Sequence, residues 1–154
     1  MVDVAFTPQI NGFRGEDSVQ LNISDIRPSC AAPCCPELGG YTALRAGKLT
    51  AAAAAALLPD RATLALVWRY LAGCGNPFVN ESPMCLCRKI VRWSGQPLSL
   101  EQLMTCLDIF SDVGLLKTQR LHKYISIQLT PGQGKADLGA SATMQTLLQL
   151  KESD

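Results

Sequence analysis

Apolar and polar residues alternate along VDVAFT, residues 2–7, which sets Val2, Val4 and Phe6 on one side of an extended chain. The turn-rich run NGFRGED follows, where Gly12 and Gly15 are free to take positive φ. Val19, Leu21, Ile23 and Ile26 then make a second alternating run, and Pro28 ends it because it has no N–H for a ladder. The pattern predicts a long hairpin over residues 1–28. A lone hairpin is marginal in water, so this one needs more strands or a surface to lean on.

Residues 29–48, SCAAPCCPELGGYTALRAGK, mix Pro, Gly, Cys and Ala without a period and read as a linker or an irregular crossing segment. The alanine run after Thr50 predicts one short helix, capped by Thr50 and stopped by Pro59. Residues 29–59 are thus expected to be a linker carrying a short Ala-rich helix.

From Asp60 the periodicity becomes helical. Asp60 can cap RATLALVWRYLAG, in which Leu64, Val67, Trp68 and Leu71 recur at i, i+3, i+4 and i+7, and Gly73 and Gly75 close the helix. The loop CGNPFVNE leads to Ser82 and Pro83, a cap followed by a favoured first helical residue. The next helix holds Met84, Cys87, Ile90 and Val91 on one side, with Arg88, Lys89 and Arg92 towards the other, and ends at Gly95. Ser99 and Gln102 predict a capping box for a third helix, with Leu103, Cys106, Leu107, Phe110 and Val113 at helical spacing and Gly114 as its stop. LLKTQRL and YISIQL around HK predict a short hairpin, and a short helix is expected over about 141–150. Three helices followed by a hairpin is the order of a winged-helix domain, expected here over residues 60–154.

The chain has 154 residues, 47% hydrophobic and 18% charged, with a formal net charge of +1. That charge is no general lure for nucleic acid, so polyanion binding would need a local patch. No apolar run approaches the roughly 18 residues of a membrane span, and the N-terminal residues do not read as a secretory signal. A soluble cytoplasmic protein without membrane partners is expected. Seven cysteines is an odd count, with Cys34 and Cys35 adjacent, and reduced thiols are expected. Zinc is the sharper alternative for Cys30, Cys34, Cys35, Cys85 and Cys87. Neither CAAPCC nor CLC has paired C-x-x-C spacing, and Cys85 and Cys87 fall in a helical pattern that points them apart.

The N-terminal segment resembles the closing strands of the OB-fold domain in the RecJ family of single-strand-specific DNA exonucleases. The resemblance rests on Phe6, Asn11, Phe13, Gly15, Val19, Gln20, Leu21, Asp25, Ile26, Arg27 and Pro28. LLPDRATLALVWRYL and KADLGASATMQTLLQL are similar to the extra C-terminal domain of RecJ proteins of Gram-positive type. The cysteine-rich stretch Cys30 to Cys35 has no counterpart in the resemblance. The implied fold is α+β: a β-hairpin remnant of an OB-fold, residues 1–28, followed by a winged-helix-like three-helix domain with a β-hairpin wing. The resemblance implies that the remaining barrel strands and the DHH phosphoesterase site lie upstream of Met1, and that the chain is a C-terminal fragment of a nuclease. Catalysis in that family implies two divalent metals, manganese or magnesium, held by Asp and His. This sequence has no D-H-H and one histidine, His122, so no catalytic residue and no cofactor are expected in the chain itself.

What remains for the chain is binding. In the OB remnant, Phe13 could stack on a base and Arg14 and Arg27 could meet phosphates; equally, Phe13 could cover the barrel end and Arg27 pair with Asp25. In the second domain, Arg88, Lys89 and Arg92 on one helix and Lys117, Arg120 and Lys123 on the hairpin are candidate phosphate contacts or an ordinary solvated face. The third helix carries Glu101, Asp108 and Asp112 and no Lys or Arg, which counts against insertion into a major groove. Trp68 is expected in the core and Trp93 partly exposed. The expected partners are single-stranded DNA, bound weakly and without sequence preference, and the catalytic domains of the same protein. The alternative is a protein-interaction module that docks through the acidic helix and the alanine-rich segment on the nuclease core or on a replication or repair protein.

Overall fold

The computed structural model describes residues 2–13, 16–28, 38–75, 78–121, 124–130 and 136–152. The chain divides into two compact units, Met1–Pro36 and Glu37–Asp154. The architecture is α+β, with two small antiparallel sheets and six α-helices among the described residues.

The first unit is the expected hairpin: β1, Val2–Phe13, pairs antiparallel with β2, Glu16–Pro28. Val4 faces Ile26, Phe6 faces Ile23, Pro8 faces Leu21 and Ile10 faces Val19, so the apolar pairs share one side. The register slips between Ala5 and Phe6, whose partners are Asp25 and Ile23. Ser24 is therefore an extra residue, and this bulge keeps Ile26 on the same side as Ile23 although three positions separate them. The other side is polar. Asn11 donates to Gln20 at 3.2 Å, and Asn22 donates to Gln9 at 2.6 Å.

In the second unit the predicted helix signals act as read. Helix α2, Ala51–Leu57, is capped by Thr50, and α3, Arg61–Gly73, by Asp60, whose carboxylate accepts from the Thr63 N–H at 2.7 Å. Helix α4, Pro83–Ser94, is capped by Ser82 and ends on Gly95 at φ 67°. Helix α5, Leu100–Asp112, opens on the Ser99–Gln102 capping box. It closes on Gly114 at φ 75°, where the Leu115 N–H reaches Phe110 O and the Gly114 N–H reaches Ser111 O.

Two elements were not expected. Residues 39–45, read as irregular, form helix α1, Gly39–Arg45. Residues 78–81, read as loop, form strand β3, Phe78–Glu81. The hairpin of β4, Leu116–Leu121, and β5, Tyr124–Leu129, is thus part of a three-stranded sheet in the order β3-β5-β4. Helix α6, Ala142–Glu152, follows a 3-10 turn at Leu138–Ala140.

Helix α5 is the axis of the core: every residue from Leu103 to Phe110 is buried. Leu64, Val67 and Leu71 of α3, Leu86 and Ile90 of α4, Ile125 and Ile127 of β5 and Tyr41 of α1 pack in the same core. Each such side chain contributes about 1.5–3 kcal/mol through removal from water. A smaller cluster of Leu49, Ala54, Leu57 and Leu147 joins α2 to α6. The stretch expected as linker over residues 29–59 therefore supplies, in α1 and α2, two packed parts of this unit. No single helix among the described residues is long and apolar enough to cross a membrane.

Candidate functional site

The acidic residues of α5 stand seven and four positions apart, at 101, 108 and 112, and so share one side of the helix. Each is engaged inside the unit. Glu101 Oε1 accepts from the Gly40 and Tyr41 N–H groups at 2.8 and 3.1 Å and so caps α1, which has no cap of its own. A Cβ on Gly40 would lie 3.2 Å from that oxygen, which favours glycine at this position. Asp112 Oδ2 accepts from the Ser141 hydroxyl at 2.7 Å and the Thr143 N–H at 2.9 Å, tying down the start of α6. Burial pushes the Asp112 carboxyl up, but these hydrogen bonds together outweigh it and hold it below its ordinary value.

Asp108 is the third clamp. Tyr41 Oη donates to its Oδ2 at 2.5 Å, Arg120 donates to its Oδ1 at 3.2 Å, and the Arg45 guanidinium stands 3.8 Å away. Arg120 also donates to the Tyr41 hydroxyl and lies over the Tyr41 ring, 5.1 Å from its centre. Burial, then the bond to Asp108, push the Tyr41 hydroxyl up to about 12. Burial would lower the Arg120 guanidinium, but its bonds to Tyr41 and Asp108 raise it instead. A cavity of about 290 Å³ opens beside these groups, lined by Arg45, Asp108, Ser111, Asp112, Thr118 and Arg120. Two cations and two carboxylates offset each other there, so this cavity is not an anion site.

Positive charge that faces solvent gathers on α4. Arg88, Lys89 and Arg92 are all on its exposed side. Lys89 Nζ is 2.5 Å from Glu81 Oε1 of β3, and that bond raises its pKa. Trp93 follows directly and is 58% exposed. Its ring meets Tyr70 of α3 edge to face, 5.6 Å between centres at 68°. The two rings, with Arg69, Gly73 and Cys74, line a shallow groove of about 260 Å³. Trp68, by contrast, is part of the core's edge and contacts Phe110 at 5.5 Å.

Lys117 is exposed on β4. Arg120, three pairs further along the same strand, is partly exposed but bonds to Asp108 and Tyr41, so its charge is engaged within the unit. Lys123 and His122 lie outside the described residues, as do Arg14 and the side chains of Phe13 and Arg27. The backbone of Phe13 pairs with Glu16 beside the hairpin turn, and that of Arg27 with Asp3. The α5 helix, expected as either a poor groove reader or an acidic docking face, is buried from Leu103 to Phe110, and its carboxylates are hydrogen-bonded within the unit although Asp112 is exposed.

Sequence reasoning did not single out Arg69 and Tyr70. They are adjacent on α3 at positions outside its apolar stripe, and that placement off the stripe is the only signal the sequence offered for them. Of the cysteines, Cys74, Cys85, Cys87 and Cys106 are free thiols, and Cys30, Cys34 and Cys35 lie outside the described residues. Among the described residues no three His, Cys, Asp or Glu side chains gather in a way that could hold a metal. Comparison with protein-family models, with curated proteins and with solved structures gives no match for this chain.

Proposed function

We propose that the chain is the C-terminal part of a RecJ-like exonuclease specific for single-stranded DNA, acting in repair or recombination in the cytoplasm. On this reading it contributes accessory, sequence-independent single-strand binding, and the two-metal hydrolytic site belongs to other domains. The described residues do not offer the clustered Asp and His donors that such a metal pair requires, so no catalytic step is assigned to them.

The observation that carries the reading is the one-sided hairpin. Eight apolar positions of β1 and β2 face the same way, and a bulge preserves that alignment across a register slip. This is what a barrel stave needs, one side to a core and one to water. The second unit adds support: helix, strand, helix, helix and a two-stranded hairpin follow in order, with the first strand joined to the last. That connectivity fits a winged-helix-like domain. Accessory binding is supported by the cations on the exposed side of α4 and by Lys117, while the buried α5 argues against reading sequence in a major groove.

A second reading, a protein-docking module, is favoured by the same apolar hairpin face, which suits the remaining domains of the nuclease better than a nucleic acid. The test is anisotropy of a fluorescein-labelled oligothymidylate titrated with the full chain at several salt concentrations. Binding should weaken steeply with salt, and Arg92→Glu and Lys117→Glu should each lower the logarithmic salt slope by about 0.7. Binding that is absent at low salt, or indifferent to both reversals, sinks the nucleic-acid reading and leaves the docking module.

A further inference from the structure

The two tryptophans of this chain are used differently. Trp68 spends its ring on Phe110 at the core. Trp93 is 58% exposed and contacts Tyr70 edge to face. Tyr70 is partly buried against the core, so the edge-to-face pair holds the Trp93 ring in place, and the open aromatic surface is chiefly that of Trp93. The groove beside them, about 260 Å³, falls just short of the roughly 300–1,000 Å³ that encloses a small-molecule ligand. It is open to solvent, and one planar ring system suits it.

Charge of both signs stands near the rings, and the carboxylate among it, Glu81, is paired with Lys89. Arg69 lines the groove, and Arg92 precedes Trp93 on the exposed side of α4. Lys89 stands one helical turn before Trp93, and its ion pair with Glu81 offsets the nearby carboxylate. Aromatic surface beside a guanidinium group, here Arg69, is an arrangement that binds single strands without reading their sequence: bases stack and phosphates are neutralised.

We infer that the Trp93–Tyr70 pair is a stacking platform for one base of a single-stranded nucleic acid, with Arg69 and Arg92 meeting the phosphates on either side. This rests on the nucleic-acid reading above and names the residues that would carry its base-dependent part. Backbone neutralisation and base stacking are separable, because only the first depends on salt through counterion release.

The experiment compares two labelled strands of equal length, oligothymidylate and its abasic analogue, on the full-length chain and on Trp93→Ala and Trp93→Phe. The unsubstituted chain should prefer the thymidylate strand about fivefold or more, the lower end of what one stacked base supplies. Trp93→Ala should lose that preference and keep the salt slope. Trp93→Phe, which retains an aromatic face, should keep part of the preference, and this guards against a merely misfolded alanine variant. If the unsubstituted chain binds both strands equally, or Trp93→Ala still prefers thymidylate, the platform is overturned while salt-dependent binding stands. If the unsubstituted chain binds neither strand at low salt, the platform and the nucleic-acid reading fall together.

Discussion

Tyr41 and Asp108, 67 positions apart in the chain, are joined by a 2.5 Å hydrogen bond in which the phenol donates to a buried carboxylate. The bond fastens α1 to the central helix, and Arg120 closes it from β4. Removing the two partners should not cost the same. Tyr41→Phe deletes one donor and should lower stability by about 1 kcal/mol. Asp108→Ala leaves a buried hydroxyl and a guanidinium without their acceptor. Because the Arg120 side chain is 44% exposed, water limits the loss to about 2 kcal/mol, below the 3–5 of a fully buried pair. Urea midpoints of the two variants check the order.

The same pair sets a response to alkali. Tyr41 ionises near 10 when unfolded and is pushed up to about 12 in the fold by burial and by Asp108. Below pH 10 both states hold the proton, and the contribution is complete. Between pH 10 and 12 the unfolded chain loses the proton first, so stability should fall, by about 2–3 kcal/mol over the whole window. Tyr41→Phe should lack this component. The difference between the two urea-stability profiles from pH 9 to 12 isolates it from other titrating groups.

Asp112 predicts the opposite limb. Its carboxyl is held below its ordinary value by Thr143 and Ser141, against the pull of burial. Its contribution is therefore present above the ordinary carboxylate range and lost as pH falls through the depressed value. Asp112→Ala removes the tie to α6, an effect of the size of a lost helix cap, about 1 kcal/mol. Amide exchange in α6 should then quicken about fivefold at neutral pH, with the α5 amides unchanged.

Thiol reactivity should follow exposure. Cys74 is exposed, Cys85 intermediate, and Cys87 and Cys106 buried. Burial pushes the Cys106 thiol up to about 12 and raises that of Cys87. Among the four cysteines of the described residues, iodoacetamide followed by peptide mapping should label Cys74 first and Cys106 only in denaturant. Early labelling of Cys106 would contradict the packing of α5.

The hairpin face gives a surface prediction. Ile10 is 77% exposed and its partner Val19 is 74% exposed. The double substitution Ile10→Thr and Val19→Thr keeps β-branched residues in the ladder and removes apolar surface. It should reduce binding of an anilinonaphthalene dye by the chain, and unchanged dye binding would mean that this face is not open to solvent.

Much of the architecture was written locally. The caps at Thr50, Asp60, Ser82 and Ser99, the stops at Gly95 and Gly114 and the alternation of β1, β2 and β5 each act within a few residues. Such signals can be read in order along the chain, because the donor and its acceptor, or the two sides of a strand, are neighbours in sequence. The exposed cations of α4 were legible for the same reason: they lie off its apolar stripe.

What the chain alone left open was decided at long range. Helix α1 has no side-chain cap, and Glu101, about 60 positions away, supplies one. Strand β3 has four residues and takes its ladder from β5. Arg120 reads as a free surface cation until Tyr41 and Asp108 engage its charge, and the acidic helix reads as exposed until packing surrounds it from Leu103 to Phe110. Sequence determines which segments can be helix or strand, since that depends on nearby bonds. Only the folded chain decides which charges remain free for a partner, since that depends on which distant groups arrive to neutralise them.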